Sequence, residues 1–135
     1  MRQQTLVVRV VAAVTAIWVI AVAPSAQPQV GLERKILLQQ DLAISGYEVV
    51  LAQVTLAVGG REGRHSHSGT LAAQILEGEL TLELEGQPTK IVKAGEAVLV
   101  EPGQVHEGIN KGGVPIKALA TFIVEKGNPL ATPPK

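Results

Sequence analysis

His65 and His67 stand one residue apart in Gly-Arg-His-Ser-His-Ser-Gly, and the remaining histidine, His106, closes a second glycine-punctuated segment, Glu-Pro-Gly-Gln-Val-His. On an extended backbone, residues i and i+2 project to the same side about 6 to 7 Å apart, so His65 and His67 can present both imidazoles to one point. Neutral imidazole is the commonest nitrogen ligand for Zn, Fe, Cu and Ni. A His-x-His pair joined by a histidine from a neighbouring strand makes a three-nitrogen face with open coordination positions. His65, His67 and His106 are therefore the predicted ligands of one divalent metal ion, with Fe, Mn, Zn, Ni and Cu all left open. The bland alternative is that two histidines in a Gly/Ser-rich loop are solvent-exposed and idle.

Other chemistries find less apparatus. The chain has no cysteine, which excludes disulfides, thiolate zinc sites and cysteine nucleophiles together. No Ser/His/Asp arrangement and no clear carboxylate pair stands ready for hydrolysis. Gly59, Gly60 and Gly63 lack the Lys-Ser/Thr and helix of a phosphate loop and read as turn glycines. Arg61 and Arg64 flank the histidines and could receive a substrate carboxylate, although exposed loop arginines more often do nothing. Glu79, Glu83 and Glu85 read as a solvated strand face opposite leucines. No catalytic proton donor or acceptor is identifiable, and no organic cofactor is implied.

The elements that must carry these residues follow a period of two. In Tyr47 to Val58, the residues Val50, Ala52, Val54, Leu56 and Val58 make one apolar face opposite Gln53 and Thr55, which is a half-buried strand. Glu79 to Leu84 alternates glutamate or threonine with leucine. Arg34 to Gln39, a segment opening at the two histidines and running to Leu76, Thr89 to Val92, Ala97 to Val100, Val105 to Asn110 and Ile116 to Val124 complete eight or so short strands. Glycine-bearing turns separate them and no helical period appears, so the domain is expected to be all-β, a sandwich or barrel. Ala97 to Val100 would be buried on both faces.

The ends are set apart by composition. Arg2 and Arg9 precede fourteen uncharged residues, Val10 to Ala23, and then the small residues Ser25 and Ala26, the layout of a secretory signal peptide. Residues 1–26 are expected to be that signal, or an uncleaved anchor. The domain would then be exported, periplasmic or secreted, and meet a membrane only if the segment is retained. Residues 27–127 form one domain by size, and 128–135, with three prolines, form an extended or frayed tail. Without Arg2 and Arg9, ten Lys and Arg face twelve Asp and Glu, with no basic stripe and no aromatic platform, so a nucleic-acid partner is not expected.

On these motifs the chain resembles the cupin superfamily, in its small single-domain form. Gly59, His65, His67 and Gly78 fall on the first cupin motif, G-x5-H-x-H-x3,4-E-x6-G, and Gly95, Gly103, His106 and Asn110 on the second, G-x5-P-x-G-x2-H-x3-N. The resemblance spans about Glu33 to Lys126 and implies a double-stranded β-helix, a jelly-roll barrel. Two positions depart. Leu71 stands where the family's glutamate ligand falls, and Glu101 where its proline does, with Pro102 one residue later. A leucine cannot coordinate, so the implied ligand set is the three histidines alone, with Thr70, Gln74 and Glu107 as nearby polar residues.

Some cupins with three-histidine sites are iron-dependent oxygenases. The resemblance therefore implies a metal-dependent enzyme, dioxygenase-like or using Lewis-acid chemistry, on a small, partly apolar molecule in a pocket walled by Val54, Leu56, Leu71, Ile75 and Leu99. The alternative is a non-catalytic metal- or metabolite-binding or scaffold cupin whose site has lost its glutamate. Small cupins commonly dimerise through edge strands, and Arg34 to Gln39 is the edge expected to make a homodimer.

Overall fold

The computed structural model describes residues 28–134 of the chain. The expected leader, residues 1–26, lies outside them. The described residues form eight strands: β1 (Val30–Asp41), β2 (Tyr47–Arg61), β3 (Thr70–Glu77), β4 (Glu79–Leu84), β5 (Lys90–Lys93), β6 (Ala97–Val100), β7 (His106–Ile109) and β8 (Ile116–Glu125). Every pairing is antiparallel, in the order β5-β4-β7-β2-β8-β3-β6, with β1 laid along β2. The long sheet β1-β2-β8-β3-β6 passes to the short sheet β7-β4-β5 at the end of β2, where Arg61 pairs with Ile109. The result is an all-β jelly-roll barrel, nearly closed.

Alternation along the strands decides what fills it. Val50, Ala52, Val54 and Leu56 of β2 and Ile116, Ala118, Ala120, Phe122 and Val124 of β8 are all buried in one cluster. Leu80, Leu82 and Leu84 of β4 meet them from the short sheet. Burying each large aliphatic side chain contributes about 1.5 to 3 kcal/mol, and with no disulfide this core is the chief source of stability. The tightest approach is at Gly69, ahead of β3, where a Cβ would lie 1.9 Å from the carbonyl oxygen of Ile123. Any side chain there would force β3 off β8.

Several boundaries and faces differ from the sequence expectation. β2 does not stop at Val58 but runs through Gly59 and Gly60 to Arg61. Gly59 takes a φ of 74°, and the register against β1 slips between Val30 and Leu32. Alternation breaks at this point, and Val58 faces solvent, 54% exposed. Leu99, expected in the pocket wall, is 56% exposed. It pairs with the outward Ala72, while Val100 and Val98 turn inward. β6 is therefore one-faced, not buried on both sides. Thr81 is buried beside its leucine neighbours.

β1 is longer than Arg34 to Gln39 and pairs with β2 alone. A bulge between Ile36 and Leu38 leaves Ile36, Leu37 and Leu38 exposed at 46%, 47% and 44%. The C-terminal segment returns to the barrel within the described residues. Thr132 forms a β-bridge with Ser66, each backbone N–H donating to the other's carbonyl at 2.9 Å.

Candidate metal centre

The histidines arrive on two short segments clamped face to face. His65 and His106 form an isolated antiparallel bridge, with N–H to O=C distances of 3.0 and 2.9 Å. The His67 carbonyl accepts the Gly103 N–H at 2.8 Å. β3 begins only at Thr70, so the pair does not open a strand that runs on to Leu76, as its spacing suggests, but sits on a bridged segment ahead of it.

Each imidazole is held by a backbone carbonyl at Nδ1. His65 Nδ1 lies 2.7 Å from the Gly63 oxygen, His106 Nδ1 3.0 Å from that of Gln104, and His67 Nδ1 bonds that of Leu130. A carbonyl can only accept, so Nδ1 carries the proton in all three rings and Nε2 keeps its lone pair. The rings gather with centroids 4.3 to 4.9 Å apart, and one nitrogen from each lies within 4.8 Å of the others. The Nε2 atoms of His67 and His106 are buried with no hydrogen-bond partner. Two orphaned lone pairs in a dry pocket are costly unless something accepts them. A divalent metal ion fits that requirement, and a carbonyl on the far ring nitrogen is the usual support of a metal-bound histidine.

Burial in apolar surroundings pulls both His67 and His106 down to about 4, against the opposing pull of their carbonyl partners. Both are neutral at pH 7, the form that ligates. The cavity they face holds about 50 Å³, and Val54, Leu56, Leu71, Ile75 and Phe122 supply much of its wall. Four of the five predicted wall residues are in place. Leu71, 9% exposed, stands inside the cavity, so no carboxylate enters from the position where the first motif places one.

Two charged residues of this cavity were missed from sequence. Glu62 lines it, and its Oε2 accepts the Gly108 N–H at 3.0 Å. Burial raises its carboxyl pKa, opposed by His65, by that N–H and by Arg34. A Cβ at position 108 would sit 2.5 Å from Glu62 Oε2, so the glycine in β7 is what admits the carboxylate. A glycine inside a strand is a sign of such close approach, and that signal was available. Arg34, from β1, is the second.

The arginines that flank the histidines are engaged elsewhere. Arg61 makes a two-pronged pair with Glu107, Nε to Oε1 and Nη2 to Oε2 both at 2.8 Å, and this holds the Glu107 carboxyl below its usual range. Arg64 pairs with Glu85 at 2.6 Å on the surface. Neither lines the histidine cavity. Thr70 and Gln74 do not line it either, and Gln74 is exposed. Asn110 is buried in a structural role, with Nδ2 donating to the carbonyls of Leu56 at 3.1 Å and Val114 at 2.9 Å.

The family model of the Cupin domain matches residues 52–122, just over half of the chain. No curated protein sequence matches it. Among solved structures, it is similar to a cupin 2 conserved barrel domain protein from Rhodopseudomonas palustris, with 17% identity and a TM-score of 0.65 over 81% of this chain and 70% of that one. It is similar to the polyketide cyclase RemF from Streptomyces resistomycificus, with 21% identity and a TM-score of 0.63 over 78% and 72%. It also resembles a recombinant oxalate oxidase in complex with glycolate, with 23% identity and a TM-score of 0.60 over 76% of this chain and 54% of that one. At these identities the likeness is one of fold.

Proposed function

Since the chain belongs to the cupin domain family, we propose that it is a metal-dependent enzyme acting on a small, partly apolar, oxygen-bearing molecule. The observation that carries this reading is the convergence of three imidazoles whose Nδ1 atoms are tied to carbonyls, two of them with Nε2 buried and unpartnered. His65, His67 and His106 would hold the ion. When bound there, a divalent metal supplies Lewis acidity, or redox chemistry with dioxygen if it is iron. Val54, Leu56, Leu71 and Ile75 exclude water from the reacting molecule. Glu62 is the proton acceptor the sequence did not reveal. Its Oε2 is committed to Gly108, and burial raises its pKa, which favours the proton-holding form.

One observation favours a second reading, a non-catalytic metal- or metabolite-binding cupin: Leu71 occupies the place of the glutamate ligand. Elemental analysis of the untagged full chain separates the two, combined with oxygen uptake on a panel of small diketones, phenols and thiols. About one equivalent of iron with oxygen uptake supports an oxygenase. Stoichiometric Zn, Mn, Ni or Cu with no turnover favours metal binding without catalysis, and no metal after reconstitution removes the enzyme and leaves a metabolite-binding or scaffold cupin.

We further infer a homodimer, supported by β1, an edge strand with three exposed consecutive apolar residues, Ile36, Leu37 and Leu38. Light scattering on the eluting protein is expected to give twice the chain mass of 14.2 kDa. A monomer at micromolar concentration would remove this inference.

A further inference from the structure

Arg34 lies on β1 opposite Val54, a core residue, so its side chain runs inward, as that of Leu32 does, from a mostly exposed strand. It lines the same cavity as His65, His67, His106 and Glu62, and its guanidinium carbon sits 5.8 Å from the centre of the Phe122 ring. Its Nε is buried and has no hydrogen-bond partner. Among the described residues, no carboxylate comes within ion-pair distance of it. Glu62 feels its charge but spends Oε2 on Gly108. Arg34 is half-buried, and its Nε is a buried donor left open, a cost that contact with one aromatic face offsets only in part.

We propose that Arg34 is the anchor for the carboxylate of a short organic acid, whose other oxygen faces the three histidines. This rests on the metal reading above for the second oxygen, but not for the carboxylate. The guanidinium fork matches a carboxylate with two parallel hydrogen bonds, and Nε is one of the prongs that such a pair uses. Size narrows the class. A cavity of about 50 Å³ is small, which points to a short acid with an oxygen close to the carboxylate. Arg34 therefore takes the role that Arg61 and Arg64 were candidates for, reaching the site from β1 and not from the segment beside the histidines.

The test is calorimetric titration of the zinc-loaded full chain with glycolate and with glycolamide, which differ in the anion and little in size. Glycolate is expected to bind at least about tenfold tighter, as a charge-assisted, two-pronged contact requires. Arg34→Gln is expected to erase that preference with zinc content and glycolamide affinity unchanged. Arg34→Lys keeps the charge without the fork and is expected to lose at least a few-fold for glycolate; it decides the matter if Arg34→Gln does not fold. Equal binding of acid and amide by the parent, or an undiminished preference in both variants, overturns the assignment. If the parent takes up none of zinc, iron, manganese, nickel and copper, the metal reading fails by itself. The same titration on metal-free protein then judges Arg34 alone, an Arg34-dependent preference for the acid upholding it and no preference overturning it.

Discussion

The doubly substituted chain His65→Ala/His67→Ala is expected to retain its β-sheet spectrum and to fall from about one equivalent of bound metal to background. Losing even a supporting partner of a metal ligand costs about 10- to 100-fold in affinity. Losing two ligands outright should cost at least about four orders of magnitude on that scale. The fold should survive because the bridge between His65 and His106 is made by backbone atoms, and Gly103 bonds the backbone oxygen of His67. Alanine also removes the buried, unpartnered Nε2 of His67, relieving one polar burial while opening a cavity. Elemental analysis beside the parent reads the result directly. Metal content equal to the parent's would mean that the ion lies somewhere other than this cluster.

The second large effect concerns protons. In the unfolded chain, His67 and His106 titrate near the ordinary value of about 6.5. In the folded protein burial holds them at about 4. Between those values the unfolded state binds more protons, so stability rises with pH. The contribution of these two residues is whole above pH 6.5 and is lost as the pH falls through 4. Each tenfold difference in proton affinity between the folded and unfolded chain is worth about 1.4 kcal/mol, so the loss amounts to several kcal/mol. Glu62 works in the opposite sense: its raised pKa favours the folded state at low pH, which trims the loss. Metal-free protein is therefore expected to melt at least several degrees lower at pH 4.5 than at pH 7.5. A melting temperature unchanged across that range would show the two rings to be solvated.

Metal uptake reports on the same groups. With His67 and His106 already neutral at pH 5.5, neither of those two rings releases a proton when the ion binds. Calorimetry in buffers of different ionisation enthalpy counts the protons released. Release of two or three would contradict the buried tautomers described above.

The ligand set was legible because all three histidines sit at fixed distances from glycines, and the sheet was legible where polar and apolar residues strictly alternate, as in Glu79 to Leu84. Legibility ended where alternation did. Ala97 to Val100 is apolar throughout, and only its register against β3, with Leu99 opposite Ala72, decides which side faces in. Val58 could not be placed from period alone, because Gly59 turns the strand from one sheet to the other. Arg34 and Glu62 were hidden for a different reason. Each is one charged residue among several on its strand or the loop beside it, and whether it turns inward depends on pairing partners far along the chain. Arg61 and Arg64 drew attention by sitting beside the histidines in sequence. Their actual partners, Glu107 and Glu85, lie 46 and 21 residues away.

His67 is fixed by the carbonyl of Leu130, 63 residues further along, and Ser66 is bridged to Thr132. β1 and β2 can pair as soon as they are made, but β8 ends at Glu125, and the His67 imidazole has nothing to set its tautomer until the segment just beyond it is in place. Closing so long a loop is also among the slower steps of folding. The metal centre thus depends on the segment after the last strand as well as on the barrel, because docking of Leu130 and Thr132 is what fixes the His67 ring.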